Sequence, residues 1–201
     1  LPFRPKRKTR ATAAKERGLE PLAKKIFAQD HGDLDPEKEA IAFVNPEKGV
    51  ASAKEALAGA RDIMAEWMSE DADARSRMRV LYQSQGVLRS VAASGKEEDA
   101  SKFRDYLDWS EPVTRASPHR LLAILRGARA GFLSLHVAPA EEDGLAVLEE
   151  LFIKRDGLAA DQVRLAAEDG YRRLLAPSME NETLAAARAH AEEMAIEIFS
   201  E

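Results

Sequence analysis

Apolar residues recur at helical spacing through most of the chain, and polar punctuation divides them into segments. The clearest is 52–70, where Ala56, Ala60, Ile63 and Trp67 share one face with Leu57, Met64 and Met68 beside them. Thr9 predicts the cap of a helix over 10–17 that Gly18 stops. A second helix is expected over 20–29, with Pro21 in its first turn. A third starts at Asp35-Pro36-Glu37, in the order cap, proline, acid. Asp71 caps the next segment, whose apolar positions are Met78, Leu81 and Tyr82. "KEEDASKFRDYLDW" reads as helix, and Ser117-Pro118 opens another that Gly127 ends. Three helices close the chain, over 141–154, 160–176 and 182–199; Val163, Ala167, Tyr171 and Leu174 form the stripe of the second, and Leu184, Ala187, Ala191, Met194 and Ile198 that of the third.

Two stretches break the helical rhythm. "GFLSLHVAP" alternates apolar and polar residues and reads as a strand. "GVLRSVAAS" is compatible with either strand or helix; if extended, it pairs with the first. The fold class is therefore mostly α, a multi-helix bundle with at most one short strand pair.

At 201 residues the chain suffices for one large domain or two small ones. It has no cysteine, which excludes disulfide frameworks, thiolate metal sites and cysteine nucleophiles. The longest purely apolar run is "LLAIL", far short of the roughly 20 residues a bilayer needs. No apolar segment of a signal peptide follows the start. The chain begins on Leu and ends in a helical pattern, so both ends read as cut from a longer protein.

Charge changes the picture more than composition does. Residues 1–25 hold nine Lys or Arg against Glu16 and Glu20, a net +7 in a chain of net −5. Non-specific nucleic-acid binding mostly requires cations placed near phosphates, so Arg4, Lys6, Arg7, Lys8, Arg10, Lys15 and Arg17 are candidate contacts. The competing reading is a basic surface that packs on the acidic remainder. "KFRDYLDWSEPVTRASPHRLLAILRG" is a second candidate, with Arg120 and Arg126 as contacts and Phe103, Tyr106 and Trp109 as stacking faces. Alternatively its aromatics anchor a core, and Arg104 or Arg120 pairs with Asp105 or Asp108.

Catalytic chemistry is unsupported. His31 stands among Asp30, Asp33 and Asp35, but no register supplies the glycine and distal glutamate of a calcium loop. The four histidines are far apart, and no nucleophile elbow, phosphate loop or dinucleotide fingerprint is present. The expectation is a chain with no catalytic, metal or cofactor site.

"LPFRPKRKTRATAAKERGLEPLA", "ALAGARDIMAEWMSEDADAR", "KFRDYLDWSEPVTRASPHRLLAILRG" and "LLAPSMENETLAAARAHAEEMAIEIF", taken together and in this order, resemble the N-terminal half of the Tex family. These are bacterial transcription accessory proteins related to a eukaryotic elongation factor. One departure is "RASPHR", where the family more usually has Pro-Ser-His-Arg. The resemblance implies that residues 1–201 are a helical N-terminal region with a helix-turn-helix-like element. RNase-H-like, helix-hairpin-helix and OB-fold RNA-binding domains are expected to lie outside it. It further implies a non-enzymatic, cytoplasmic module that contributes to non-specific nucleic-acid binding, weakly alone or only within the full-length parent, with transcription machinery as partner and no membrane. The alternative is a helical scaffold that positions downstream domains and contacts transcription proteins.

Overall fold

The computed structural model describes residues 7–96 and 98–200. Among these lie α1 (Arg10–Glu16), α2 (Glu20–Ala28), α3 (Pro36–Ile41), α4 (Ala53–Glu70), α5 (Ala72–Gln85) and β1 (Val87–Ala92). They continue with β2 (Asp108–Pro112), α6 (Pro118–Arg129), β3 (Leu133–Ala138), α7 (Glu141–Phe152), α8 (Leu158–Gly170) and α9 (Ala176–Ser200). The chain is mostly helical, as the apolar spacing predicts, and divides into two compact units. The first runs to Arg75 and resumes over Leu145–Leu175; the second comprises Ser76–Gly144 and the stretch from Ala176 onward.

The first unit is built around α4. Ser52 caps it by accepting the Glu55 N–H, and Ala56, Leu57, Ala60, Ile63, Met64 and Met68 are buried. α1, α2, α3 and α8 pack on it. Small residues set the spacing: a Cβ at Gly170 of α8 would lie 3.1 Å from the Ala65 carbonyl oxygen. Trp67 sits at the margin of the buried face, 5.6 Å from Phe27, which lies 5.7 Å from Phe152. Gln29, buried in the left-handed region at the end of α2, donates to the Phe152 carbonyl at 2.8 Å and accepts the Lys154 N–H at 3.0 Å. One side chain thus satisfies backbone groups on both sides of Ile153, where α7 ends.

The second unit packs an antiparallel sheet, in the order β2-β1-β3, against α6 and α9. Leu88 pairs with Val137 across β1 and β3, and both join Leu121 and Ala191 in a buried cluster. Trp109, Leu184 and Ala187 cover its margin. Glu180 of α9 accepts the Val137 N–H at 3.4 Å, occupying a donor on the edge strand.

Three local expectations change. The β1–β3 pair forms, but a third strand joins it where helix was expected. Asp99–Tyr106 is 3₁₀ helix, and β2 follows, with Trp109 and Glu111 half-buried and Asp108 and Ser110 exposed. Such a short, charged strand ending in proline suits a sheet edge, and its composition hides the alternation. Gly127 does not end α6. It is buried where a Cβ would come 2.6 Å from Leu133 Cδ1, so it serves close packing; the chain turns at Gly131, whose φ is +85°. Finally, the helices expected over 160–176 and 182–199 are not separated by a loop. A π-helical turn over Tyr171–Leu175 leads from α8 into α9, and Pro177 falls in the first turn of α9. The wider turn breaks the i→i−4 ladder where proline has no amide to give.

Candidate nucleic-acid interface

α1 shows how a short cationic helix is held. Thr9 accepts the Thr12 N–H at 3.1 Å, and Ala11 and Ala14 are buried toward α4. That leaves the long side chains on the flanks. Thr9 also donates to Glu66 of α4 at 3.0 Å, and Lys8 pairs with Glu16 at 2.6 Å. Arg10 and Arg17, seven apart and hence on one side, both act on Asp62 of α4, and Arg10 acts on Asp169 of α8.

That acidic pair is organised by Arg173, which donates to Asp169 at 2.8 Å. The hydrogen bond holds the Asp169 carboxyl below its usual range, against the cost of burial and with help from the charges of Arg173, Arg10 and Arg61. The same bond raises Arg173. Asp62 moves the other way: burial pushes it up, and the Asp169 charge adds to this, although Arg173, Arg10 and Arg17 oppose it.

Arg17 also extends toward the α1–α2 turn. Its guanidinium crosses Gly59, 3.2 Å from the position of a Cβ there, and its Cδ lies 3.8 Å from the Cβ position of Gly49. Lys48 Nζ is 3.8 Å from the Cβ position of Gly18, whose φ of +81° makes the turn. Arg17 and Lys48 therefore flank the same pair of glycine turns, while Arg7 and Lys15 are exposed. Sequence reading missed Lys48, 31 positions beyond Arg17 in "NPEKG", because only the fold brings it there. Arg4 and Lys6 lie outside the described residues.

The two candidates on α6 separate. Arg120 pairs with Glu111 at 2.6 Å, and not with Asp105 or Asp108. Because Glu111 shares the inner face of β2 with Trp109, this pair ties α6 to the edge strand. Arg126 is exposed beside Arg129. The aromatics pack on one another: Tyr106 and Trp109 meet edge-on at 6.3 Å, Phe103 and Phe132 at 6.0 Å. Trp109 also packs against the core, which favours anchoring over stacking on bases.

A family model described as Tex central region-like matches residues 31–199. The chain belongs to the Tex family. It is 46% identical over 136 residues to Protein tex of Bordetella pertussis, covering 68% of this chain and 17% of that protein. Protein YhgF of Escherichia coli is 35% identical over 210 residues, covering all of this chain and 27% of its own length. Transcriptional accessory protein Tex of Neisseria gonorrhoeae is 37% identical over 143 residues, 71% of this chain and 18% of that protein. The chain thus spans about a quarter or less of these relatives. α1 and α2 precede the stretch that the family model matches.

In this Tex-family chain the histidines do not assemble. His136 stands 2.9 Å from Ser134 Oγ and 3.3 Å from Glu180, and His31 is exposed in its polar turn. Among the described residues no group of three or more His, Asp or Glu is placed to hold a metal ion. Nor is any described helix long and apolar enough to cross a membrane.

Proposed function

We propose that the chain is a non-enzymatic, cytoplasmic helical module of a transcription accessory protein, and that its opening helix supplies non-specific phosphate contacts to nucleic acid. The observation that carries this is the meeting of Arg17 and Lys48 at the α1–α2 turn, with Lys15 exposed on α1 and Arg7 exposed just before it. Backbone contacts need cations fixed along a path and no base-reading groups. Lys8 and Arg10 lie outside this set, since carboxylates of the same unit already face them, and Arg17 is shared, acting on Asp62 as well as reaching the turn. Transcription machinery is the protein partner this reading expects.

Charge reversal tests it. Lys15→Glu and Lys48→Glu, both at exposed positions, should weaken binding to labelled DNA and RNA. Each should also flatten the slope of log affinity against log salt by about 0.7–0.9, the share of one phosphate neutralised by one cation. Unchanged affinity and slope in both variants would remove the opening helix from the interface.

A second reading has its own observation. The facing of Arg10 and Arg17 toward Asp62 and Asp169 gives much of the opening charge a structural role, as a scaffold positioning other domains requires. Arg10→Glu and Arg17→Glu test this: a scaffold loses helix docking, read as a lower Tm, but no affinity for polyanions.

A further inference from the structure

The second unit holds a depression that the phosphate reading does not use. It opens where α5, the turn after β2, the start of α6 and the middle of α9 meet, and its volume is about 210 Å³. Arg79 of α5 pairs with Glu182 of α9 at 2.8 Å, which sets Gln83, one turn further along α5, near Thr183. Pro118 and Leu121 come from the first turn of α6, which packs on α9. On α9 the lining residues Thr183, Ala187 and Ala191 recur every four positions and share one face with His190. Alanines at 186, 187 and 191 leave the space that larger side chains would fill.

The walls are apolar. Val113, Pro118, Leu121 and the alanines supply most of the lining, and among the described residues no lysine, arginine or carboxylate joins them. The polar groups are few and of both kinds. Gln83 brings an amide donor and acceptor, His190 an imidazole and Thr183 a hydroxyl. Thr183 is 5% exposed, and its hydroxyl has no hydrogen-bond partner among the described residues. It does not take even the carbonyl one turn back, the usual partner of a threonine within a helix. Ser117, between the lining residues Ala116 and Pro118, holds a further buried hydroxyl without a partner. Buried hydroxyls are as a rule satisfied, so an unmet one in a roomy, largely apolar depression points to a guest that completes it.

We propose that this pocket takes a nucleobase, with its ring between the apolar walls and its edge against Gln83 and Thr183. An apolar cavity of about 150 Å³ holds a benzene ring, so 210 Å³ admits a base with its exocyclic groups. A base carries donors and acceptors along one edge and no net charge, which matches an amide, a hydroxyl and an uncharged wall. A leucine or tyrosine anchor of a peptide would leave most of those polar groups unmet. A phosphate or carboxylate would find no cation to pair with. A duplex does not fit, because its bases are stacked and paired; the base comes from a single strand or a free nucleoside. The pocket is independent of the opening helix, whose cations lie in the first unit.

The test is saturation-transfer NMR of adenosine, guanosine, cytidine and uridine with the 201-residue chain, followed by titration. Saturable binding of at least one nucleoside, weakened about ten-fold or more in Ala186→Phe with circular dichroism unchanged, supports the proposal. Ala186 is exposed, so the added ring fills the pocket without entering the core. Thr183→Val should weaken binding about five- to ten-fold while leaving Tm unchanged or higher, because the hydroxyl it removes has no partner in the free protein. Lys15→Glu and Lys48→Glu should leave nucleoside binding intact, which separates failure of this proposal from failure of the phosphate reading. A labelled single-stranded oligonucleotide distinguishes the source of the base. Oligonucleotide affinity that Ala186→Phe lowers assigns the pocket to a strand; affinity that it does not lower, beside nucleoside binding that it does, assigns it to a free nucleoside. No nucleoside binding up to about 10 mM, binding indifferent to Ala186→Phe, or full competition by ribose phosphate overturns the proposal. Equal or tighter binding of N-acetyl-tyrosinamide overturns it in favour of a peptide side chain.

Discussion

Asp62 and Asp169 face one arginine and titrate in opposite directions, because burial dominates at the first and a hydrogen bond from Arg173 at the second. The consequence for stability has opposite signs. Asp169 binds its proton less tightly in the folded state, so its contribution is complete above the ordinary carboxylate value near 3.9 and is lost as pH falls through its lowered value. Asp62 binds its proton more tightly when folded, so its ionisation costs stability as pH rises from that ordinary value through its raised one. Asp62→Asn should therefore raise Tm at pH 7, with the gain vanishing near pH 3, and Asp169→Asn should lower it at pH 7. Thermal melts of the two variants at both pH values check this; a clear drop in Tm for Asp62→Asn at pH 7 contradicts it. None of this was legible in the sequence. Asp62 and Asp169 are two carboxylates among 35 acidic residues, and what distinguishes them is the packing of α4 on α8.

At the scale of elements, legibility followed the strength of local signals. Thr9, Asp35 and Asp71 each accept the N–H groups their positions predict, and the apolar face of α4 is the buried one. Signals failed where one residue type serves two purposes. Glycine ends helices and also lets them touch, so the sequence does not distinguish Gly127, which packs, from Gly131, which turns. β2 was hidden because a charged edge strand and an exposed helix turn have similar composition. The glycine at Gly170 is a packing residue of the Gly127 kind, and there the neighbour is backbone, 3.1 Å from a would-be Cβ. Gly170→Ala gains about 1 kcal/mol of helix propensity but must move α8 from α4, an overpacking cost of about 1–3 kcal/mol. A net destabilisation of about 1 kcal/mol in urea denaturation is expected from those two terms; a more stable variant would show that the two helices are not held at this spacing.

For the whole molecule, the family was readable from four segments in order, while the interface was not. The basic opening was visible as charge, but charge alone left open whether it faces solvent or protein. The fold answers residue by residue: Lys8 meets Glu16, Arg10 faces Asp169, and Arg17 meets Lys48 at a turn. It also draws Arg120 into a pair with Glu111 and leaves Arg126 exposed beside Arg129. The proposed phosphate contacts, Lys15, Arg17 and Lys48, all lie in the first unit. The most direct measurement is a salt titration of fluorescence anisotropy with the isolated chain and labelled single- and double-stranded DNA and RNA. Weak binding to all four is expected at low salt, falling with log salt at a slope of about −2 to −4, as a few fixed cations require. No binding at low salt, or binding that salt does not weaken, would contradict a phosphate-binding role for the opening helix.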